Sequence, residues 1–116
     1  MTNLSIRPYD PTADEPLLLD LWPSVFGAAW PVTPEWFRAV AMNDPVRQEH
    51  LLAEVDGRPV GFALAKLSTD SPPRGSILAL GVRAEYRRRG VGRALHDAAL
   101  ERLRARGADH FMLGAG

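Results

Sequence analysis

Residues 77–95 read ILALGVRAEYRRRGVGRAL, and this stretch decides the fold. Ile77 to Val82 is an unbroken apolar run with the length of a buried strand. Arg83 to Arg89 forms a short basic loop, and from Gly90 the apolar spacing becomes helical, continuing to Arg106 before a Gly107 stop. On that helix Leu95, Ala99, Leu103 and His96 gather on one face, opposite Arg93, Asp97, Glu101 and Arg104, so the helix covers a sheet. Strand, glycine-bearing basic loop and helix start suit a diphosphate. Several backbone N–H groups at a helix N-terminus lack internal partners, and the helix dipole is positive there. Gly90 and Gly92 remove side chains that would hold phosphate away, while Arg87, Arg88, Arg89 and Arg93 make the local potential positive.

Upstream of this stretch, Asn3 to Tyr9 alternates with Leu4 and Ile6 on one side and reads as an opening strand. Leu17, Leu18, Leu21, Trp22, Val25 and Phe26 recur at helical spacing behind Thr12 or Asp14 as N-cap, with Pro23 set to kink or shorten the helix. A second helix starts at Thr33 as cap with Pro34 at its first position and runs towards Asn43. His50 to Val55 and Pro59 to Ser68 read as a hairpin around Asp56-Gly57, a type I′ turn signal. Residues 71–75 read as a loop, and His110 to Leu113 starts a last strand. The order is βααβββαβ, an α/β (α+β) fold class in one domain spanning 1–116.

Arg87-x-x-Gly90-x-Gly92 after an apolar strand resembles the motif of the GNAT superfamily of acyl-CoA-dependent N-acetyltransferases, arginine or glutamine followed by x-x-Gly-x-Gly or Ala. The resemblance runs along nearly the whole chain. It implies a mixed, mostly antiparallel sheet flanked by helices and acetyl-CoA as acyl donor. The main chain of Leu80, Gly81 and Val82 would contact the acetyl and pantetheine arm. Arg87, Arg88, Arg89, Gly90, Val91, Gly92 and Arg93 would surround the pyrophosphate. Gly81 fits the strand bulge expected there. The implied reaction is acetyl transfer to a primary amine, of a small molecule or a peptide, through a tetrahedral intermediate, with an N–H of the Val82 region as oxyanion donor. The alternative is a non-catalytic acetyl-CoA-binding or structural module of a larger protein. Ala84 stands where the family often has proline, and His96 replaces a usual aliphatic residue. The family completes its fold with a fourth helix and two more strands, and commonly carries a general-acid tyrosine after strand five. The sequence stops at Gly116. The fold is therefore expected to be truncated after strand five, as the N-terminal part of a longer or tandem protein would be, with a homo-oligomer or downstream domain completing the sheet.

Composition bounds the rest. With 116 residues, 46% hydrophobic and 24% charged, the chain is an ordinary globular domain. It has no cysteine, so it supplies no disulfide, thiolate zinc site or cysteine nucleophile. MTNLSIRPYD has no signal-peptide pattern and no apolar run is long enough for a bilayer span, making the cytoplasm the default and a membrane no partner. Residues 1–70 hold five basic and ten acidic side chains and residues 71–116 nine and four, so an anion favours the C-terminal half. Zero net charge without a reader motif disfavours nucleic acid. Trp22, Phe26, Trp36 and Phe37 read as core, Trp30 as a loop contact for substrate, and Tyr86 as the loop's anchor. Glu54 and Asp70 lie on or near strands that could face a cleft. No residue is singled out as catalytic, and none as a metal ligand.

Overall fold

The computed structural model of the chain describes residues 3–27, 33–40, 42 and 44–113. Strand β1 is Leu4–Pro8, and helix α1 follows at Glu15–Phe26. Asp14 occupies the N-cap of α1 but makes no capping bond, because its carboxylate is taken by Arg7 and by the Asp10 amide. Pro23 sits inside α1, which continues to Phe26 and closes at Gly27, whose φ is positive at 66°. Helix α2, Pro34–Val40, is capped by Thr33, whose hydroxyl accepts the Trp36 N–H at 3.1 Å. Ala41 and Asn43, towards which that helix was expected to run, lie outside the described residues, as does Trp30.

Strands β2 (Leu51–Val55) and β3 (Arg58–Leu67) form the hairpin. Its turn residues Asp56 and Gly57 both have positive φ, 51° and 82°, as a type I′ turn requires. Strand β4, Arg74–Val82, begins before the apolar run at Ile77. Arg74 to Ser76 were expected to fall partly in a loop, from the composition of residues 71–75. Pairing with β3 on one side and with strand β5 (His110–Leu113) on the other overrides that local preference. Helix α3 is Val91–Ala105, ending with Gly107 at φ 96°. There the Gly107 and Ala108 amides donate to Arg104 and Leu103 carbonyls at 2.9 and 3.1 Å, satisfying acceptors the helix leaves open.

Among the described residues five strands lie in sequence order, β1 to β4 antiparallel and β5 parallel to β4. Each face carries its own core. Leu95, Ala99 and Leu103 of α3, all fully buried, pack on a sheet face that includes Ala53, Ala63 and Ala65. On the other face Trp22 of α1 stacks on Phe62 with centroids 5.3 Å apart, beside Leu18, Leu21 and Phe37. Burying one such large apolar side chain contributes about 1.5–3 kcal/mol, so these two layers fix both helices against the strands. Trp36 departs from its reading as core: it is 39% exposed and meets Trp22 only by its edge, centroids 6.0 Å apart. His96 is also half-exposed, with Nδ1 3.3 Å from Asp97, at the margin of the buried stripe of Val91, Leu95, Ala99 and Leu103.

Candidate functional site

The site grows from β4. Among the described residues, β5 pairs with β4 only from Arg74 to Ile77, while β3 pairs with it along to Val82. Alternate backbone groups of an antiparallel strand point away from its partner, so part of the main chain of residues 78–82 is turned from β3. The bulge in β4 is displaced from its expected position at Gly81. The register slips where Leu64 opposes Ala79 and Ala65 opposes Ile77, leaving Leu78 as the extra residue, whereas Gly81 pairs regularly with Phe62. Gly81 is glycine for another reason. A Cβ there would lie 2.4 Å from Val25 Cγ1 and 3.1 Å from the Phe62 ring, so its absence lets α1 settle on the sheet.

After β4, residues 84–86 make a single 3₁₀ turn, with the Tyr86 N–H donating to Arg83 O at 2.9 Å. Tyr86 is half-buried against the α3-side core and lies beneath the guanidinia of Arg89 and Arg58, 5.4 and 5.9 Å from its centroid, which makes it an anchor of the loop. Arg88 and Gly90 have left-handed backbones, φ 63° and 83°. Gly90 meets nothing within 4 Å at its missing Cβ, so its conformation, not close approach, calls for glycine. It is also the N-cap of α3, and no side chain caps the helix. The first helical bond runs from the Ala94 N–H to Gly90 O at 3.0 Å, leaving the amides of Val91, Gly92 and Arg93 without helical partners.

The arginines divide into two sets. Arg88, Arg89 and Arg93 are exposed, and among the described residues neither Arg88 nor Arg89 has an acidic partner, while Arg93 has Asp97 at 3.9 Å. Arg87 is exposed as well but is engaged by the fold, donating from Nε to Val82 O and from Nη2 to Val25 O, both at 3.1 Å. Among the described residues, three amides without helical partners, the positive end of α3 and guanidinia without an acidic partner meet on one short loop, an arrangement whose chemistry suits a multiply charged oxyanion.

The carboxylates named from sequence are each engaged by an arginine. Glu54 accepts from Arg7 Nε at 2.8 Å. Asp70 pairs with Arg74 at 2.8 Å beyond the start of β4, about 25 Å of strand from Val82. Its carboxyl is held below the usual range by hydrogen bonds from Ser68 and Arg74. Two features were missed from sequence. Asp14, 2% exposed, is clasped by both Arg7 amino groups at 2.6 and 2.9 Å, which lowers its pKa against the opposing effect of burial. Arg83, at the mouth of the loop, reaches Pro59 and α1. Both rest on partners distant in sequence or on burial; an arginine ending an apolar strand was the only local signal. Among the described residues no helix is long and apolar enough to cross a membrane.

Residues 16–115 match the family described as the acetyltransferase (GNAT) family. A mycothiol acetyltransferase from Thermobispora bispora is 33% identical over 124 aligned positions, which cover 96% of this chain and 40% of that protein. The glucosamine N-acetyltransferase region of a fungal multi-domain β-N-acetylglucosaminidase superposes with a TM-score of 0.88 at 29% identity, over 100% of this chain and 14% of the other. An aminoglycoside N-acetyltransferase solved with CoA gives a TM-score of 0.78 at 18% identity, over 100% of this chain and 79% of its own, and shows likeness of fold alone. The chain thus spans well under two thirds of the mycothiol enzyme and of the fungal protein.

Proposed function

Because the chain belongs to the GNAT family of acetyltransferases, with residues 16–115 matching it, we propose that the β4–α3 loop binds the diphosphate of acetyl-CoA and that the domain transfers the acetyl group to a primary amine. The single observation that carries this reading is that, among the described residues, the amides of Val91, Gly92 and Arg93, without helical partners, stand beside the guanidinia of Arg88 and Arg89, without an acidic partner. The residues fit the group: main-chain donors suit phosphate oxygens, and a Cβ at Gly92 would reach Leu80 and Val82 at 3.6–3.7 Å, so the helix start stands directly over the end of β4. Leu80, Gly81 and Val82 would then offer main-chain partners to the pantetheine arm. An N–H at the Leu78 bulge, displaced from the Val82 region, is our candidate for stabilising charge on the thioester oxygen. The donor supplies an activated acetyl group, and transfer to an amine yields an amide and a free thiol.

Since CoA thioesters are intracellular, this reading places the protein in the cytoplasm. Titration calorimetry with CoA, paired with a thiol-release assay over a panel of amines, tests it. Saturable binding supports the diphosphate site, and thiol release that depends on the amine supports transfer. Absence of binding overturns the site; binding without release on any amine reduces the domain to a binding module.

A further inference from the structure

Helix α1 has no basic residue in its last turn, so the carbonyls at its C-terminus draw on donors from elsewhere. The Gly27 N–H donates to Pro23 O, and the loop after β4 supplies a donor to Val25 O. Arg87 Nη2 donates to Val25 O at 3.1 Å while its Nε holds Val82 O. Arg83, its side chain only 15% exposed, donates from Nε to Pro59 O and from Nη1 to Ser24 Oγ, each at 3.0 Å, with Asp20 3.8 Å from Nη2. Ser24 Oγ in turn donates to Leu21 O at 2.7 Å. Val25 packs where Gly81 has no side chain. The last turn of α1, the end of β4 and the basic loop are therefore cross-linked through two guanidinium groups.

We propose that Arg83 is a positioning residue that couples occupancy of the β4–α3 anion loop to the C-terminal turn of α1. The inference rests on the reading of that loop as a diphosphate site. A guanidinium is a planar fork whose bonds set direction as well as distance, so Arg83 held on Pro59 and Ser24 ties the loop's first residue to two other elements. Downstream, Arg88 and Gly90 hold left-handed conformations that a ligand bound to the adjacent amides would fix. Ordering the loop then orders Arg83 and Arg87, and with them the end of α1. By reciprocity, a well-ordered α1 end favours the ligand.

The test uses the whole chain and CoA as probe. Hydrogen exchange over residues 17–27, with and without saturating CoA, is compared in wild type, Arg83→Met and Ser24→Ala, with CoA affinity from calorimetry. In wild type, CoA should slow exchange in the last turn of α1 by about threefold or more. In Arg83→Met this CoA-dependent difference should fall to about half or less, the Arg87–Val25 link remaining, while affinity stays within about tenfold, since the Arg83 guanidinium is engaged by Pro59 and Ser24. A merely structural strut would raise exchange equally with and without CoA and leave the difference intact, which would overturn the coupling. CoA binding without any protection of α1 in wild type would do the same. Failure of wild type to bind CoA would instead remove the diphosphate site, and the coupling with it. Should Arg83→Met not fold, Ser24→Ala, at the exposed end of the same link, decides: a reduced CoA-dependent difference supports the coupling and an unchanged one refutes it.

Discussion

Replacing Gly92 by aspartate separates the anion site from the stability of the helix that builds it. Gly92 is the second residue of α3, and a Cβ there would meet Val82 and Leu80 at 3.6 and 3.7 Å, ordinary contact distances, so the variant folds without a clash. An acidic group in a first helical turn is worth about 0.3–1 kcal/mol through the dipole, and relief of glycine's conformational freedom adds a few tenths. The midpoint of thermal unfolding should therefore hold or rise slightly. Binding should move the other way. Like charges about 4 Å apart repel by about 1 kcal/mol in water and about 4 kcal/mol at an effective dielectric of 20. At a surface loop, about 1–2 kcal/mol for each of two ionised phosphates gives about 2–4 kcal/mol, or about 30- to 1,000-fold in affinity. Gly92→Ala carries the same Cβ without charge and should bind within a few-fold of wild type. Calorimetry with CoA, beside far-UV melts, reads both effects. A folded Gly92→Asp protein that binds CoA within about threefold of wild type would refute the placement of a diphosphate at this helix start.

Three other outcomes follow from the same geometry. The Arg88→Ala/Arg89→Ala double variant should weaken CoA binding about tenfold at low salt and less at high salt, because these exposed charges act through screened attraction; calorimetry across a salt series reads this, and salt-indifferent affinity would leave the arginines only solvated. Gly81→Ala should lower stability by about 1–3 kcal/mol, read by urea melts, because its Cβ would stand 2.4 Å from Val25, and an unaltered melt would mean α1 is free to shift. Asp14→Ala should cost about 2–3 kcal/mol, below the ~3–5 of a fully buried pair since Arg7 is 35% exposed. Arg7 holds the Asp14 carboxyl below its ordinary 3.8, so the contribution is present above that pH and lost as pH falls through the lowered folded value. Thermal melts from pH 6 to 2 should show the wild-type advantage over Asp14→Asn shrinking only below about pH 4.

What could be read from sequence was what neighbouring residues encode. Asp56-Gly57 announces two left-handed residues, and both are left-handed. The order βααβββαβ follows from period and punctuation, and the structure has that order. Failures cluster where a distant partner decides. Arg74 to Ser76 are strand because β5 pairs with all three and β3 with Gly75 and Ser76, against a Pro-Pro-Arg-Gly composition. The bulge sits at Leu78, an apolar residue with no local signature, while the glycine that invited it answers instead to a methyl of Val25, 56 positions earlier by their numbers.

The basic loop shows the same division within one motif. Its arginines are alike in sequence, yet Arg83 and Arg87 are committed to carbonyls and a hydroxyl of the fold, across separations of 59 and 62 residues to α1, while among the described residues Arg88 and Arg89 have no acidic partner, Arg89 resting over the Tyr86 ring. Counting arginines thus overstates the charge offered to a phosphate and hides a structural role. Neutralising Arg88 or Arg89 should act on affinity and its salt dependence, whereas neutralising Arg83 should act on α1, because burial of its guanidinium makes geometry, not potential, what it contributes.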